Sequence, residues 1–387
     1  MSSFVSSSTM IRRTRVEVDL SAIVENAGAL TALTGTNVYA VVKADGYGHG
    51  AVAVARALAA TSAVAGFAVS LVEEAVVLRD AGIAAPILVM GPSQLGGEDE
   101  LLGLALTPVV SDAEEVAALA ALARRRNVTV DVHLKVDTGM GRLGVAPLHA
   151  VDLAIAAQRQ GVRVVGLMTH FANADADDPT EADSSTMRQL ATFAVAKQQL
   201  LAAGIPLQVC HAANSSGAMM FPAARMDLVR TGLALYGNGQ WQSDGQLRRP
   251  RRQAMRLVTE VAQVRNVSAG SCVGYGGLWR AERDSKVAVL PLGYADGLPK
   301  RAIGAFAAII AGVRCPLVGA ISMDIAIADV SDAPQVQVGD SAVLLGRDAS
   351  GDQISTEQYA QWTGLTEYEV TCGMSKRVPR TYIGADL

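Results

Sequence analysis

The chain has 387 residues, 50% apolar, 18% charged and only 4% aromatic, with a formal net charge of −4 at pH 7. This much apolar material excludes an intrinsically disordered chain and calls for a large core filled mainly by Ala, Val and Leu. The mildly negative charge gives no electrostatic ground for a nucleic-acid partner, and the basic clusters Arg124 to Arg126 and Arg248 to Arg252 are short.

The opening, Met1 to Met10, is Ser-rich and lacks an apolar core of about 7–15 residues, so it reads as a loose tail and not a secretory signal. From about residue 38 short β-branched runs alternate with longer Ala/Leu-rich stretches. The expected strands are Val38–Lys43, Ala65–Ser70, Pro86–Met90, Leu106–Val110, Val128–Lys135, Val162–His170, Pro206–Cys210 and Met226–Arg230. Helical segments fall at Leu71–Ala81, Asp112–Arg126, Pro147–Gln160 and Thr186–Ala203. Asp112 suits a helix N-cap, and Gly82, Gly161 and Gly204 follow helix ends. Such alternation implies parallel strands with covered faces, and eight units suggest a (β/α)8 TIM barrel. An open doubly wound sheet accepts the same pattern. Neither a G-x-G-x-x-G opening a helix nor a G-x-x-x-x-G-K-[ST] is present, which weakens nucleotide folds.

After about Gly237 the character changes. Asn238 to Arg252 is polar and basic and reads as a linker. Beyond it, short runs at Leu257–Val264, Lys286–Leu290, Ala307–Ile310, Ile325–Val330 and Ser341–Leu345 suggest a mainly antiparallel β-domain. The expected boundaries are 12–250 for the barrel and 251–387 for the second domain. Cys210, Cys272, Cys315 and Cys372 lack zinc or disulfide-framework spacing, which fits a reducing cytoplasm and no metal centre. No uninterrupted apolar run reaches about 18 residues, so no membrane span is expected.

Barrel chemistry collects at the C-terminal strand ends. Those ends carry Lys43, Ser70, Lys135 with Asp137, His170, His211 with Asn214 and Ser215, and Arg230. Singly, each is an ordinary polar residue; together they point to a site. Lys43 closes a buried-looking strand and precedes a glycine-rich turn, where desolvation lowers an ammonium's pKa and frees its amine to attack a carbonyl. Asn214-Ser215-Ser216 after strand seven and Thr231-Gly232-Leu233 after strand eight suit a phosphate. A phosphate-bearing carbonyl cofactor that needs a lysine is pyridoxal 5′-phosphate.

Nearly the whole chain resembles the alanine racemases. The resemblance is carried by Val41-Val42-Lys43-Ala44-Asp45-Gly46-Tyr47-Gly48-His49-Gly50, by Lys135-Val136-Asp137-Thr138-Gly139-Met140-Gly141-Arg142-Leu143-Gly144, and by His170-Phe171-Ala172. Asn214-Ser215, Val229-Arg230-Thr231-Gly232, Val273-Gly274-Tyr275-Gly276, Gly293-Tyr294-Ala295-Asp296-Gly297, Ser322-Met323-Asp324 and Arg377-Val378-Pro379-Arg380 continue it. The resemblance implies a barrel followed by a β-domain, and interconversion of L- and D-alanine supplying D-alanine for cell-wall peptidoglycan. Lys43 would form the internal aldimine and act as one base. Tyr275, from the partner subunit of a homodimer with shared sites, would be the other, one base per face of the α-carbon. A phenol is a poor base unless its phenolate is supported, and the resemblance supplies a hydrogen-bond chain from Tyr275 through His170 to Arg230. Arg230 would face the pyridine nitrogen and leave it unprotonated.

Tyr47, Ser215, Gly232, Leu233 and Tyr368, with Asn214 beside them, match the phosphate-contacting set. Arg142 and Met323 match residues that hold the substrate carboxylate, with Asp324 adjacent. Lys135 matches a lysine that is often carbamylated and props Arg142, and Tyr294 one that lines the substrate corridor. An alternative within the class is a broader racemase acting on serine or basic amino acids. A barrel-type decarboxylase would present a carboxylate where Arg230 stands. A pyridoxal-phosphate-binding homeostasis protein would end with the barrel.

Overall fold

Arg15–Asp19 alternates outward polar and inward apolar side chains, and Asp19 ends that run by capping the next helix. Its Oδ1 accepts the Ala22 N–H at 3.0 Å, starting a helix over Leu20–Thr34. The computed structural model describes residues 11–92, 97–239, 242–243, 246–247, 252–302 and 304–384. The Ser-rich opening and residues 240–241, 244–245 and 248–251 of the expected linker lie outside the described residues.

The strand β1 (Arg15–Asp19) falls inside the expected barrel boundaries but pairs elsewhere. It runs antiparallel to Met255–Glu260 and parallel to Arg380–Ile383, at the heart of the second domain's sheet. The barrel strands come next: β2 (Asn37–Val41), β3 (Gly66–Val69), β4 (Ile87–Val89), β5 (Thr107–Val110), β6 (Val130–Lys135), β7 (Val162–Met168), β8 (Val209–His211) and β9 (Leu228–Thr231). They pair in the order β8-β7-β6-β5-β4-β3-β2-β9. The two ends meet: Asp227 N–H donates to Cys210 O at 3.2 Å, and Arg230 N–H to Ala213 O at 3.0 Å. The sheet therefore closes as a (β/α)8 barrel, and the open-sheet alternative is set aside. Small and β-branched residues fill it, β3 being buried along its whole length.

The helices form where sequence places them, with ends shifted by a residue or two. Asp112 Oδ1 accepts the N–H groups of Glu114 and Glu115 at the start of Ala113–Arg126. Pro147–His149 is a 3₁₀ turn running into the helix Ala150–Arg159. Ala51–Ala59 and Glu98–Gly103, left unassigned from sequence, are also helices.

The run expected as one strand over Leu257–Val264 is two strands, Met255–Glu260 and Gln263–Val267, in different sheets. The first lies between β1 and Ser341–Arg347; the second pairs with Ser285–Leu290, which pairs in turn with Ala326–Asp329. Apart from β1 against Arg380–Ile383, these pairings are antiparallel, as expected. The helix Glu367–Cys372 brings the second domain onto the barrel mouth. There a Cβ on Gly48 would meet the Thr371 carbonyl oxygen at 2.1 Å, so only glycine admits the contact.

Candidate active site

Lys43 stands where β2 stops, and the chain then winds the wrong way. Ala44, Asp45, Gly46 and Tyr47 have φ of 52°, 53°, 62° and 52°, four successive left-handed residues of which only one is glycine. Left-handed backbone costs an L-residue about 1–2 kcal/mol, so something must hold this turn. The Ala44 N–H donates to Glu74 Oε1 at 2.6 Å, and Asp45 Oδ1 accepts the Ala51 N–H at 2.8 Å. The buried His49 donates from Nδ1 to Gly46 O at 2.9 Å and stacks on Tyr236. Glu74 also accepts the Ser70 and Leu71 N–H groups, tying the end of β3 to that of β2.

The Ala44 side chain is exposed and packs against little, so backbone strain decides its substitution. Ala44→Gly relieves about 1–2 kcal/mol of left-handed strain and forfeits about 0.5–1 kcal/mol of unfolded-state entropy. We expect a gain of about 0.5–1 kcal/mol, read as a higher Tm in thermal unfolding. A lower Tm would show that the turn is not left-handed in solution.

A cavity of about 470 Å³ opens at the C-terminal strand ends, lined by Lys43, Tyr47, Lys135, Arg142, His170, Asn214, Ser215, Arg230, Gly232, Leu233 and Tyr368. Eleven residues expected from sequence thus meet in one place. A larger cleft of about 750 Å³ borders Arg252, Arg256, Glu17 and Asp19. Four of the charged side chains that line it pair off, Arg256 with Glu17 at 2.8 Å and Arg252 with Asp19, and none of the expected site residues borders it.

At one end of the smaller cavity, Ser215 Oγ accepts the N–H groups of Gly232 and Ala234 at 3.0 and 3.3 Å. Asn214 Oδ1 caps the short helix Ser215–Met220 through the Gly217 N–H. A Cβ on Gly232 would lie 2.4 Å from Tyr47 Oη, so glycine keeps this corner open for the phenol. Tyr47 is flanked by Tyr236 and Tyr368, with ring centroids 5.2 and 5.8 Å away. Burial pushes the Tyr47 and Tyr368 phenols up, so both stay protonated donors.

At the other end Arg230 is buried and has only uncharged acceptors. Nη1 donates to His211 Nδ1 at 2.6 Å, while Nη2 donates to Thr169 O at 2.8 Å, Ala212 O at 3.0 Å and His170 Nδ1 at 3.3 Å. Burial lowers its pKa to about 9, which leaves it charged at neutral pH. An arginine can only donate, so His211 Nδ1 must accept and its proton sits on Nε2. That proton points to His133 Nδ1 at 2.8 Å. Burial, then the Arg230 charge, holds His170 and His211 far below an ordinary histidine, as uncharged acceptors.

Burial and then the Arg142 charge lower the Lys43 pKa, and the same two causes, with Arg230, bring Lys135 down to about 8. Asp137 folds the loop that carries Arg142, accepting the N–H groups of Gly139, Met140 and Gly141. The site is thus strongly cationic and suited to an anionic guest. An amine with a lowered pKa, an anion corner at Ser215 and Gly232, and a guanidinium without a facing carboxylate fit a phosphate-bearing aromatic aldehyde.

The remaining expected residues lie apart from this cavity. Tyr275 is 76% exposed, Met323 52% and Tyr294 42%. Met323 is thus not the core residue that methionine usually is. Asp324 Oδ1 accepts from Arg377 at 2.6 Å. Within one chain the link between His170 and Arg230 is present, and Tyr275 sits on a separate turn. His133 and Glu74 escaped sequence reading. His133 could have been found, since it lies two residues before Lys135 and so shares its face of β6.

The family descriptions "Alanine racemase, N-terminal domain" and "Alanine racemase, C-terminal domain" match residues 18–239 and 254–382. An alanine racemase of Sorangium cellulosum is 41% identical over 385 residues, covering 96% of this chain and 99% of that one. The crystal structure of the Streptomyces lavendulae alanine racemase superposes with a TM-score of 0.90 at 34% identity, covering 97% and 98% of the two chains. The alanine racemase of Bartonella henselae, solved with covalently bound pyridoxal phosphate, gives a TM-score of 0.84 at 28% identity, over 96% and 99%.

Proposed function

The chain belongs to the alanine racemase family of isomerases, and we propose that it interconverts L- and D-alanine with two bases, Lys43 and the Tyr275 of a second copy. The observation that carries this reading is Lys43: an amine with a lowered pKa at the mouth of a parallel barrel, in one cavity with Arg230 and the Ser215–Gly232 corner. The cofactor is pyridoxal 5′-phosphate, supported by the cavity's donor set and by the related protein in which it is covalently bound. When bound, it supplies a carbonyl that condenses with amines and an electron sink that acidifies the substrate α-proton.

This chain's residues do the rest. Ser215, the Gly232 and Leu233 backbone, Tyr47 and Tyr368 receive the phosphate, and none of the described residues lining the cavity is acidic. Arg230 can only donate, so an aromatic nitrogen set against it gains no proton. Arg230 would thereby favour prompt return of a proton to the substrate carbon by Lys43 or Tyr275 over loss of the amine to transamination. Arg142 holds the substrate carboxylate, with Met323 of the second copy, beside which lies Asp324. Lys43 Nζ takes or returns the α-proton on one face, and Tyr275 Oη serves the other.

Lys135 braces Arg142. Its pKa, lowered to about 8, leaves a minor fraction of neutral amine at physiological pH, which can add carbon dioxide as a carbamate with release of one proton. The carbamate's negative charge would then face the Arg142 guanidinium. Exposure of Tyr275 and Met323 supports a homodimer with shared sites, since neither reaches the cavity of its own chain. Among the described residues no helix is long and apolar enough to cross a membrane. We place the enzyme in the cytoplasm, supplying D-alanine for cell-wall peptidoglycan.

The direct test is proton NMR of the cofactor-loaded protein with L-alanine in deuterated water, followed by chiral analysis. We expect the α-proton signal to vanish as D-alanine accumulates towards an equal mixture. Exchange without D-alanine would leave one working base and overturn the two-base reading. Turnover of serine or a basic amino acid in place of alanine would shift the substrate to the broader class.

A further inference from the structure

Asp296 is a buried carboxylate with an unusual set of donors, and it lies outside the cavity. Its side chain is 1% exposed. Arg12 holds it with both terminal nitrogens, at 2.9 and 2.7 Å, Arg377 Nε donates at 2.8 Å, and the Gly293 N–H at 3.0 Å. A charge removed from water at this depth is costly unless paired and hydrogen-bonded, and here every donor is supplied. Burial alone would raise its pKa; the Arg12 and Gly293 hydrogen bonds and the two guanidinium charges hold it below the usual carboxylate range.

What Asp296 organises is the exposed face that carries Tyr294, Met323 and Asp324. It closes the turn Tyr294–Asp296 through Gly293. That turn is hydrogen-bonded to the neighbouring loop, Tyr294 N–H to Ser322 O at 3.1 Å and Ala295 N–H to Met323 O at 3.0 Å. Arg377 spans both, one nitrogen on Asp296 and another on Asp324. The same loop begins beside the Tyr275 turn: a Cβ on Gly274 would lie 3.2 Å from Ala320 N, and one on Gly319 2.6 Å from Val273 O. Two loops are thus fastened together around a single carboxylate, with the Tyr275 turn packed against the second.

We propose that Asp296 is a positioning residue acting in trans: through Arg377 and the 293–296 turn it sets the Tyr294, Met323 and Asp324 face that one copy presents to the other's site. This rests on the reading of the dimer as one with shared sites. Asp296 touches neither substrate nor cofactor. Its effect comes from placing groups that do, where an error of about 1 Å can cost about 100-fold in rate.

Subunit mixing tests it. The Asp296→Asn homodimer is expected to remain dimeric and to keep the absorbance of bound cofactor, while kcat/KM falls about 100-fold with KM raised. Differently tagged Asp296→Asn and Lys43→Ala subunits are then refolded together and the mixed dimer purified. One of its sites joins an intact Lys43 to an intact presented face, so about half the wild-type rate per dimer should return. A Tyr275→Phe and Lys43→Ala dimer is the control. If the control recovers and the Asp296→Asn pair does not, Asp296 acts within its own chain and the proposal falls. If neither recovers, the sites are not shared and both readings fall. Unchanged kcat/KM in the Asp296→Asn homodimer would also overturn it. Should that variant not fold, Arg377→Gln cuts the same link to Asp324 from a half-exposed side chain and is mixed the same way.

Discussion

Lys43→Ala will abolish racemisation, lowering kcat/KM for either enantiomer by about 10⁴-fold or more. A positioned base contributes about 10²–10⁴-fold, and the covalent anchor is lost with it. The fold should survive, because Lys43 is only partly buried and the left-handed turn is held by backbone groups, Glu74 and Asp45. An added primary amine small enough for the cavity should restore part of the exchange of the α-proton, as it replaces the missing nitrogen. Racemisation at the wild-type rate would remove Lys43 from the mechanism. Loss of activity alone does not separate a racemase from a protein that merely holds pyridoxal phosphate, so a second variant is needed.

Tyr275→Phe provides it. The side chain is 76% exposed in one chain, so removing its hydroxyl leaves fold and cofactor binding intact. Racemisation should fall about 10²–10⁴-fold in at least one direction, the usual worth of one acid–base group. The enantiomer whose α-proton faces Lys43 should still exchange with deuterated solvent. That asymmetry is the signature of two bases, and equal loss of exchange from both enantiomers would argue against it. Normal racemisation by Tyr275→Phe would overturn the assignment of the second base.

The eight barrel strands were legible because parallel strands covered on both faces read as short β-branched runs between amphipathic helices. Their polar ends were legible for the same reason: Lys43, Lys135, His170 and Arg230 interrupt an otherwise apolar pattern. The left-handed turn after Lys43 was not, since Ala44 and Tyr47 have no intrinsic preference for positive φ and the tendency of Asp45 is too weak to set four residues. Long-range bonds impose that conformation, and Glu74 sits 30 residues away from the Ala44 it holds. The break between Met255–Glu260 and Gln263–Val267 was hidden because an apolar run does not reveal a change of sheet. The Asp296 cluster was hidden too, its donors coming from opposite ends of the chain.

The place of β1 bears on how the protein is made. Its two neighbours, Met255–Glu260 and Arg380–Ile383, are translated only after every barrel strand has been synthesised. Apart from the closing pair β2 with β9, the barrel's own pairings link consecutive strands, so much of it can condense early, whereas β1 must wait with both edges open. An unpaired strand is a template for foreign edges during that interval. Arg15 and Glu17 alternate along it, and charges on a waiting edge oppose that misassembly. Synthesis of Arg380–Ile383 is thus the step that lets the second edge of β1 be covered.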